Sequence, residues 1–248
     1  MTIKLDIARA LDPASIAADV GLTLDPWQAE LMRSTAPRVL LLCARQTGKS
    51  TTCALIAIST AIMTAGALVL LVSPSQRQSG ELFKTVMRHL RRLPDAPRIT
   101  AESALRCELE NRSRILALPG EEKTVRGYSG AALIVIDEAA RVEDELLAAV
   151  RPMMATSNGR LIGLSTPAGK RGWFYEAWCG DQPWHRVRVP ASECPRISAE
   201  FLREELRELG EQRFSEEYEL AWLDATDAAF SMAAIDSAFS PDVRALWR

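Results

Sequence analysis

Long apolar runs are missing from this chain: none approaches the roughly 20 residues that a membrane-spanning helix needs. The opening segment, MTIKLDIARALDPAS, also lacks the apolar stretch of a secretory signal peptide. Cysteine is sparse and unpatterned. Its five occurrences, Cys43, Cys53, Cys107, Cys179 and Cys194, are odd in number, far apart and without a C-x-x-C pair. That argues against a disulfide framework or a structural zinc site and leaves reduced thiols as the default. Internal repeats, low-complexity tracts and internal linkers rich in Gly, Pro or Ser are absent as well. These absences point to a cytosolic protein with no membrane partner. A global basic excess is also lacking: 30 Lys and Arg against 32 Asp and Glu give a net charge of −2, so the composition as a whole does not announce a nucleic-acid binder.

What is present is the composition of a globular chain. Hydrophobic residues make up 48% and charged residues 25%, which excludes disordered, collagenous and coiled-coil classes. The 248 residues correspond to one large domain or one and a half, at roughly 150 residues per domain. Charge is unevenly spread. From Arg77 to Arg114 eight Arg and one Lys stand against five acids, a local +4, whereas Ser198 to Arg248 carries twelve acids against five Arg, a local −7. Lysine is rare: of the 30 basic residues only Lys4, Lys49, Lys84, Lys123 and Lys170 are lysines, which draws attention to where Lys49 stands.

Hydrophobic periodicity organises the chain as alternating strands and helices. Asp25 and Pro26 open a helix running toward Ser34, as an N-cap and first helical residue should. RVLLLCA (Arg38 to Ala44), ALVLLVS (Ala67 to Ser73), AALIVIDEA (Ala131 to Ala139) and RLIGLST (Arg160 to Thr166) are apolar on both faces and of strand length. Between the first two lies TTCALIAISTAIMTA, with helical spacing, and the second is followed by a helix in SQRQSGELFKTVMRHLRRL, its amphipathic part spanning Glu81 to Leu93. LRCELENRSRILALP reads as a hairpin at the sheet edge, turning at Glu110–Arg112. A helix from about Glu143 should end near Arg151, before Pro152. A short helix follows Gly172, WHRVRVP is an edge strand, and two polar helices occupy about 198–209 and 212–220. The expected fold is α/β: a mostly parallel central β-sheet with helices on both faces.

The first chemical signal is CARQTGKST, Cys43 to Thr51, between a strand and a helix. Such a loop cradles phosphates with backbone N–H groups from Gln46 through Thr51: Gly48 permits close approach, Lys49 reaches the β- and γ-phosphates, and Ser50 ligates Mg²⁺. Cys43 occupies the place of the pattern's first Gly, and a bare G-K-S also fits a solvated lysine at a helix start. The second signal is Asp137-Glu138 at the carboxyl end of a buried strand. Acids there serve as helix caps; behind a phosphate loop they suit a magnesium-holding Asp137 and a Glu138 that deprotonates the attacking water. The third is Ser165-Thr166-Pro167, ending the next buried strand. It reads either as an ordinary turn or as hydroxyls that sense the γ-phosphate.

The set, in this order, resembles the ATPase domain of the large subunit of a tailed-phage terminase, the DNA-packaging motor. The residues that carry the resemblance are Arg45-Gln46-x-Gly48-Lys49-Ser50, Val125-Arg126-Gly127, IDEAA at Ile136 to Ala140, RPMMATSNGRLIGLSTPAGKRGWFYEAW from Arg151 to Trp178, and FSEEYELAW at Phe214 to Trp222, over about Leu24 to Phe230. In that family the first Gly of the loop is often replaced, which accounts for Cys43.

The resemblance implies a RecA-like P-loop (ASCE) core that hydrolyses ATP with Mg²⁺. It implies Arg45 near the γ-phosphate, Glu138 as general base, Ser50 and Asp137 on the metal, and Arg126 as an arginine finger for a neighbouring subunit. Ser165, Thr166 and Pro167 become the segment coupling hydrolysis to movement, and Trp27 and Gln28 match the adenine-recognition segment. A buried helix-face Trp with a surface Gln is the other reading of that pair. Implied partners are double-stranded DNA, further copies in a ring, a portal protein and a small terminase subunit, in a bacterial host's cytoplasm, with phage or prophage origin.

Lys84, Arg88 and Arg91 or Arg92 recur on one helix face. They are candidate DNA contacts that follow phosphates, or simply a solvated face. The expected organisation is an ATPase domain over 1–230 with a lead-in over 1–23, then a tail over 231–248. The nuclease domain that the family carries downstream is expected to be absent, because no acidic cluster follows Thr166 and the acids from Glu200 to Glu219 read as solvated helix faces. Two other functions stay open: an ATP-dependent helicase or remodeller on the same core, and a nucleotide-binding assembly module without turnover.

Overall fold

The computed structural model describes residues 3–224; the expected tail over 231–248 lies outside them. The chain opens with α1 (Ile3–Leu11), α2 (Ile16–Asp19) and α3 (Pro26–Arg33). The first strand-helix unit follows, β1 (Arg38–Cys43) and α4 (Lys49–Met63), and the second is β2 (Leu68–Ser73) and α5 (Gln76–Leu90). Next come β3 (Ile99–Glu102), β4 (Arg106–Leu109), β5 (Arg114–Pro119) and α6 (Glu122–Val125). β6 (Ala131–Asp137), α7 (Asp144–Val150), β7 (Arg160–Ser165), α8 (Gly172–Cys179), β8 (His185–Val189) and α9 (Ala199–Glu217) complete the described part. Among the described residues no helix is long and apolar enough to cross a membrane.

The strands form one sheet in the order β3-β4-β5-β2-β6-β7-β1-β8. From β5 to β8 every pairing is parallel, and β3 and β4 are antiparallel additions. Double-sided apolarity has a direct consequence. Val39, Leu41, Val69, Leu71, Leu133 and Val135 point into one core, beneath α4 and α5. Their alternates Leu40, Leu42, Leu70, Val72, Ile134 and Ile136 point into a second core with residues of α7, α8 and α9. Each such side chain, withdrawn from water, contributes about 1.5–3 kcal/mol.

Two sequence expectations are corrected. The hairpin exists, β4 against β5, but β5 is no edge: it lies parallel to β2, pairing Leu70 with Leu116. The edge belongs to β3, whose residues Ile99–Glu102 are mostly exposed and carry no alternation to read. The helix expected in Ser75 to Leu93 starts as read, at Gln76 behind Ser75, whose Oγ accepts from the Gln78 N–H (3.3 Å), but it ends at Leu90, three residues early. Arg91 is its C-cap, and Arg92 lies in the turn beyond it. The two expected C-terminal helices are present within α9, separated by a kink at Gly210, where φ is 74° and ψ 165°.

Parallel strands bring their carboxyl ends to one edge of the sheet, and β7 lies between β1 and β6. Leu42 is level with Ser165, and Asp137 with Leu164, so the ends of β6, β7 and β1 stand side by side. In β7, Gly163 leaves room for the Trp173 ring: a Cβ there would lie 3.0 Å from Trp173 Cη2. Gly163→Val is expected to lower stability by about 1–3 kcal/mol through overpacking of the second core. A melting temperature equal to the wild type's would contradict this packing.

Candidate active site

The loop leaving β1 turns back on itself through two left-handed residues, Gln46 (φ 60°) and Gly48 (φ 91°). The Thr47 hydroxyl donates to the Ala44 carbonyl (2.9 Å), closing the turn. α4 then starts at Lys49, so the free N–H groups of its first turn and its positive dipole end face the loop. Lys49 is buried, and Ser50 and Thr51 are half-buried in that first turn. Cys43 is fully buried and burial pushes its thiol up to about 12, so it packs as a small apolar side chain.

α3 is locked to this loop. The Gln28 Oε1 accepts from the Asp25 N–H (2.8 Å), while its Nε2 lies 2.7 Å from where a Cβ on Gly48 would fall. A side chain at Gly48 would have to displace that amide, and its φ of 91° already favours glycine. Arg196, which sequence reading missed, bridges the same elements: it donates to Asp25 Oδ1 (2.7 Å) and to the Thr47 carbonyl (2.9 Å). The two members of the adenine-segment pair therefore separate. Gln28 is buried against the loop, whereas Trp27 packs on the first core with its indole N–H buried and without an acceptor.

At the end of β6, Asp137 accepts from the Glu138 N–H (3.0 Å). Burial, and then the Glu138 charge, push its carboxyl up to about 6, against a smaller pull from Lys49. Among the described residues no three His, Cys, Asp or Glu cluster as a metal cage. Mg²⁺, however, takes few protein oxygens and keeps waters or phosphates. A desolvated carboxylate at the carboxyl end of β6, two strands from the one that leads into α4 and Ser50, fits the chemistry of that ion. Glu138 adopts the left-handed conformation (φ 52°, ψ 43°), which costs about 1–3 kcal/mol in a residue with a side chain. Its Oε2 accepts from Arg141 Nη1 (2.7 Å).

At the end of β7, Ser165 and Thr166 are buried, and the Ser165 hydroxyl has no hydrogen-bond partner among the described residues. Arg141 reaches this strand as well, donating to Thr166 Oγ1 (3.1 Å) and the Pro167 carbonyl (3.4 Å). The only sequence signal for Arg141 was its spacing, three residues after Glu138.

Arg45 is held by a fork: its Nε and Nη2 donate to the Glu217 carboxylate at 2.8 and 3.0 Å. Glu217 is buried on α9, which corrects the reading of all those acids as solvated. Glu205 is a second exception, accepting from the Tyr218 hydroxyl (2.7 Å). Arg126 is exposed just after α6, in a groove with Tyr128, Ala148, Pro152 and Met153, not within the loop cluster. Of the basic face on α5, Lys84 pairs with Glu81 (2.7 Å) and Arg91 with Glu102. Lys84, Arg88, Arg91 and Arg92 nonetheless line one groove with Phe83 and Met87.

The family model for the N-terminal part of the terminase large subunit, T4likevirus type, matches residues 40–236. The terminase large subunits of Thermus phage G20c and Thermus virus P23-45 are each 27% identical over 168 residues, covering 60% of this chain and 34% of theirs. The chain thus spans about a third of the length of these curated relatives. Among solved structures, the ATPase domain of the Thermus phage P74-26 large terminase is similar over 83% of this chain and 96% of its own, at TM-score 0.71 and 19% identity. The HK97 large terminase is similar over 83% and 54%, at TM-score 0.67 and 19% identity. These likenesses support the fold.

A prediction follows from Asp137. Its folded pKa lies above the ordinary 3.8, so its favourable contribution is complete below the unfolded value and is lost as pH rises through about 6. Asp137→Asn should therefore stabilise the nucleotide-free protein at pH 8 by about 1–3 kcal/mol and leave it nearly unchanged at pH 4. Melting curves displaced equally at both pH values would contradict the desolvated carboxylate.

Proposed function

The chain belongs to the terminase large subunit family, and on that premise we propose that it is the ATP-hydrolysing motor part of a viral DNA-packaging machine, driving double-stranded DNA into a procapsid. One observation carries this reading: the phosphate loop after β1, the hydroxyls ending β7 and the acids ending β6 stand on adjacent strand ends.

In this reading the backbone N–H groups of the loop from Gln46 through Thr51, with Lys49, hold the β- and γ-phosphates of ATP. Ser50 and Asp137 hold Mg²⁺, which when bound offsets charge on the phosphoryl oxygens. Glu138 orients a water and takes its proton as the water oxygen bonds to the γ-phosphorus and the bond to the β-phosphate oxygen breaks. Gln28 borders the loop on the base side, and Trp27 supports α3 from the core. Arg45 must leave Glu217 to reach a γ-phosphate, so nucleotide and the C-terminal helix compete for one guanidinium. The exposed Arg126 suits service to a neighbouring subunit's ATP in a ring, a contribution on the order of 10³-fold. Ser165, Thr166 and Pro167 couple hydrolysis to movement.

Portal and small-subunit partners, and a bacterial host cytoplasm, complete the proposal. It assigns DNA cleavage to none of the described residues. DNA would run along the groove of Lys84, Arg88, Arg91 and Arg92, contacted through phosphates.

Steady-state hydrolysis with and without linear double-stranded DNA, over a protein concentration series, tests this reading. Lys49→Ala and Glu138→Gln should each reduce turnover by about 10²-fold or more, with Glu138→Gln still binding ATP; wild-type rates in either variant would refute the assignment. For the groove, replacing Arg88 and Arg92 together by Gln should weaken DNA binding and flatten its dependence on log salt by about 1 per charge removed. An unchanged salt slope would remove the groove from the DNA path.

A further inference from the structure

Arg141 is the one side chain hydrogen-bonded to both the catalytic glutamate and the coupling segment among the described contacts. The turn after Glu138 aims it: the Arg141 N–H donates to the Glu138 carbonyl (2.8 Å), folding the chain back so that the guanidinium meets the Glu138 carboxylate. Nη1 is shared between Glu138 Oε2 (2.7 Å) and Thr166 Oγ1 (3.1 Å), while Nη2 reaches the Pro167 carbonyl (3.4 Å). A planar guanidinium fixes the direction of each of its donors, which an ammonium on a flexible stem does not. Thr166 is buried, so its hydroxyl is a fixed post and Glu138 is the member free to swing.

The far side of the coupling segment is tied to the C-terminal part of the chain. Gly169 N–H donates to Glu216 of α9 (3.4 Å), Lys170 N–H donates to the Leu223 carbonyl (3.1 Å), and the Lys170 ammonium pairs with Asp224 (3.0 Å). These residues and Arg141 line one cavity of about 550 Å³. A displacement of α9 or of the segment around Trp222–Asp224 therefore reaches Pro167 and Thr166, and from them passes through Arg141 to the carboxylate that must face the attacking water. Such a contiguous chain of polar contacts is a physical route for coupling.

We infer that Arg141 is a positioning residue: it orients Glu138 by anchoring it to Thr166 and Pro167, so that the coupling segment sets when the glutamate can act. This inference rests on the reading of Glu138 as the general base. Freeing the carboxylate from its anchor loses orientation, and a misplacement of about 1 Å can cost about 10²-fold in rate.

The test is steady-state hydrolysis by the full 248-residue chain with Mg²⁺ and linear double-stranded DNA. Wild type is compared with Arg141→Ala, Arg141→Lys, Thr166→Val and the double variant Arg141→Ala/Thr166→Val. Arg141→Ala should lower kcat about 10- to 100-fold with KM within about 2-fold. Arg141→Lys, keeping the charge but not the fork, should recover part of the loss. The double variant should be no slower than the slower single one, because both remove the same anchor. The inference is overturned if Arg141→Ala keeps the wild-type kcat, if only KM rises, if the single losses multiply in the double variant, or if lost kcat simply follows lost folded protein in melting curves of Arg141→Lys and Thr166→Val. Wild type without turnover under these conditions would instead bring down the motor reading itself. An active wild type and an inactive Lys49→Ala beside an unaffected Arg141→Ala would bring down this inference alone.

Discussion

A parallel strand that is apolar on both faces can leave water only between two layers of helices, and the chain must then cross over the sheet after every strand. β1, β2, β6 and β7 obey this constraint. Each crossover starts at the same edge of the sheet, so turns that are far apart in sequence become neighbours. Lys49, Asp137 and Thr166 belong to three different crossovers, and the register of β1 on β7 and of β7 on β6 sets them in line. Burial that stabilises the fold thus also assembles the site, and the chemistry occupies the one edge where the backbone must turn.

The same edge is where the molecule gives up stability. Asp137 is a carboxylate pushed up to about 6 by desolvation, Glu138 is held in a left-handed conformation, and Ser165 buries a hydroxyl without a partner among the described residues. Each departs from what a packed core would choose, and all lie at the carboxyl ends of β6 and β7 or just past them. Strain and desolvation of this kind persist where the surrounding structure over-determines them, as two well-filled cores do here. The left-handed Glu138 also brings Arg141 into play, since the turn that follows it aims the guanidinium back at the carboxylate.

Strands whose two faces are both buried announce themselves in sequence, and so do loops that need Gly at one position. RVLLLCA, ALVLLVS, AALIVID and RLIGLST were legible for that reason, as was the Gly48-Lys49-Ser50 turn. β3 was not: Ile99–Glu102 lies mostly exposed at the edge, and its pairing with β4 depends on backbone groups that leave no mark on residue type. The end of α5 was blurred for a related reason, because the helical charge pattern continues past Leu90 into Arg91 and Arg92. In the site, Lys49, Asp137, Glu138 and Thr166 stand at the strand ends that their motifs indicated, Arg126 stands apart from them, and the residues that hold the motifs together were missed. Glu217 meets Arg45 across 172 positions of sequence, and Arg196 meets Thr47 across 149. Partners so distant are set by tertiary packing alone. The acidic segment from Glu200 to Glu219, read as solvated, conceals a buried carboxylate because helical spacing does not say which face a later helix will cover.

The central claim is that the three strand ends form one nucleotide site. A crystal structure of the chain with Mg²⁺ and a non-hydrolysable ATP analogue tests it most directly. The account predicts the phosphates inside the loop from Cys43 to Ser50, the metal between the Ser50 hydroxyl and Asp137, and Glu138 facing the γ-phosphate. Phosphates bound elsewhere, or bound in the loop with Asp137 and Glu138 turned away from metal and γ-phosphate, would contradict it.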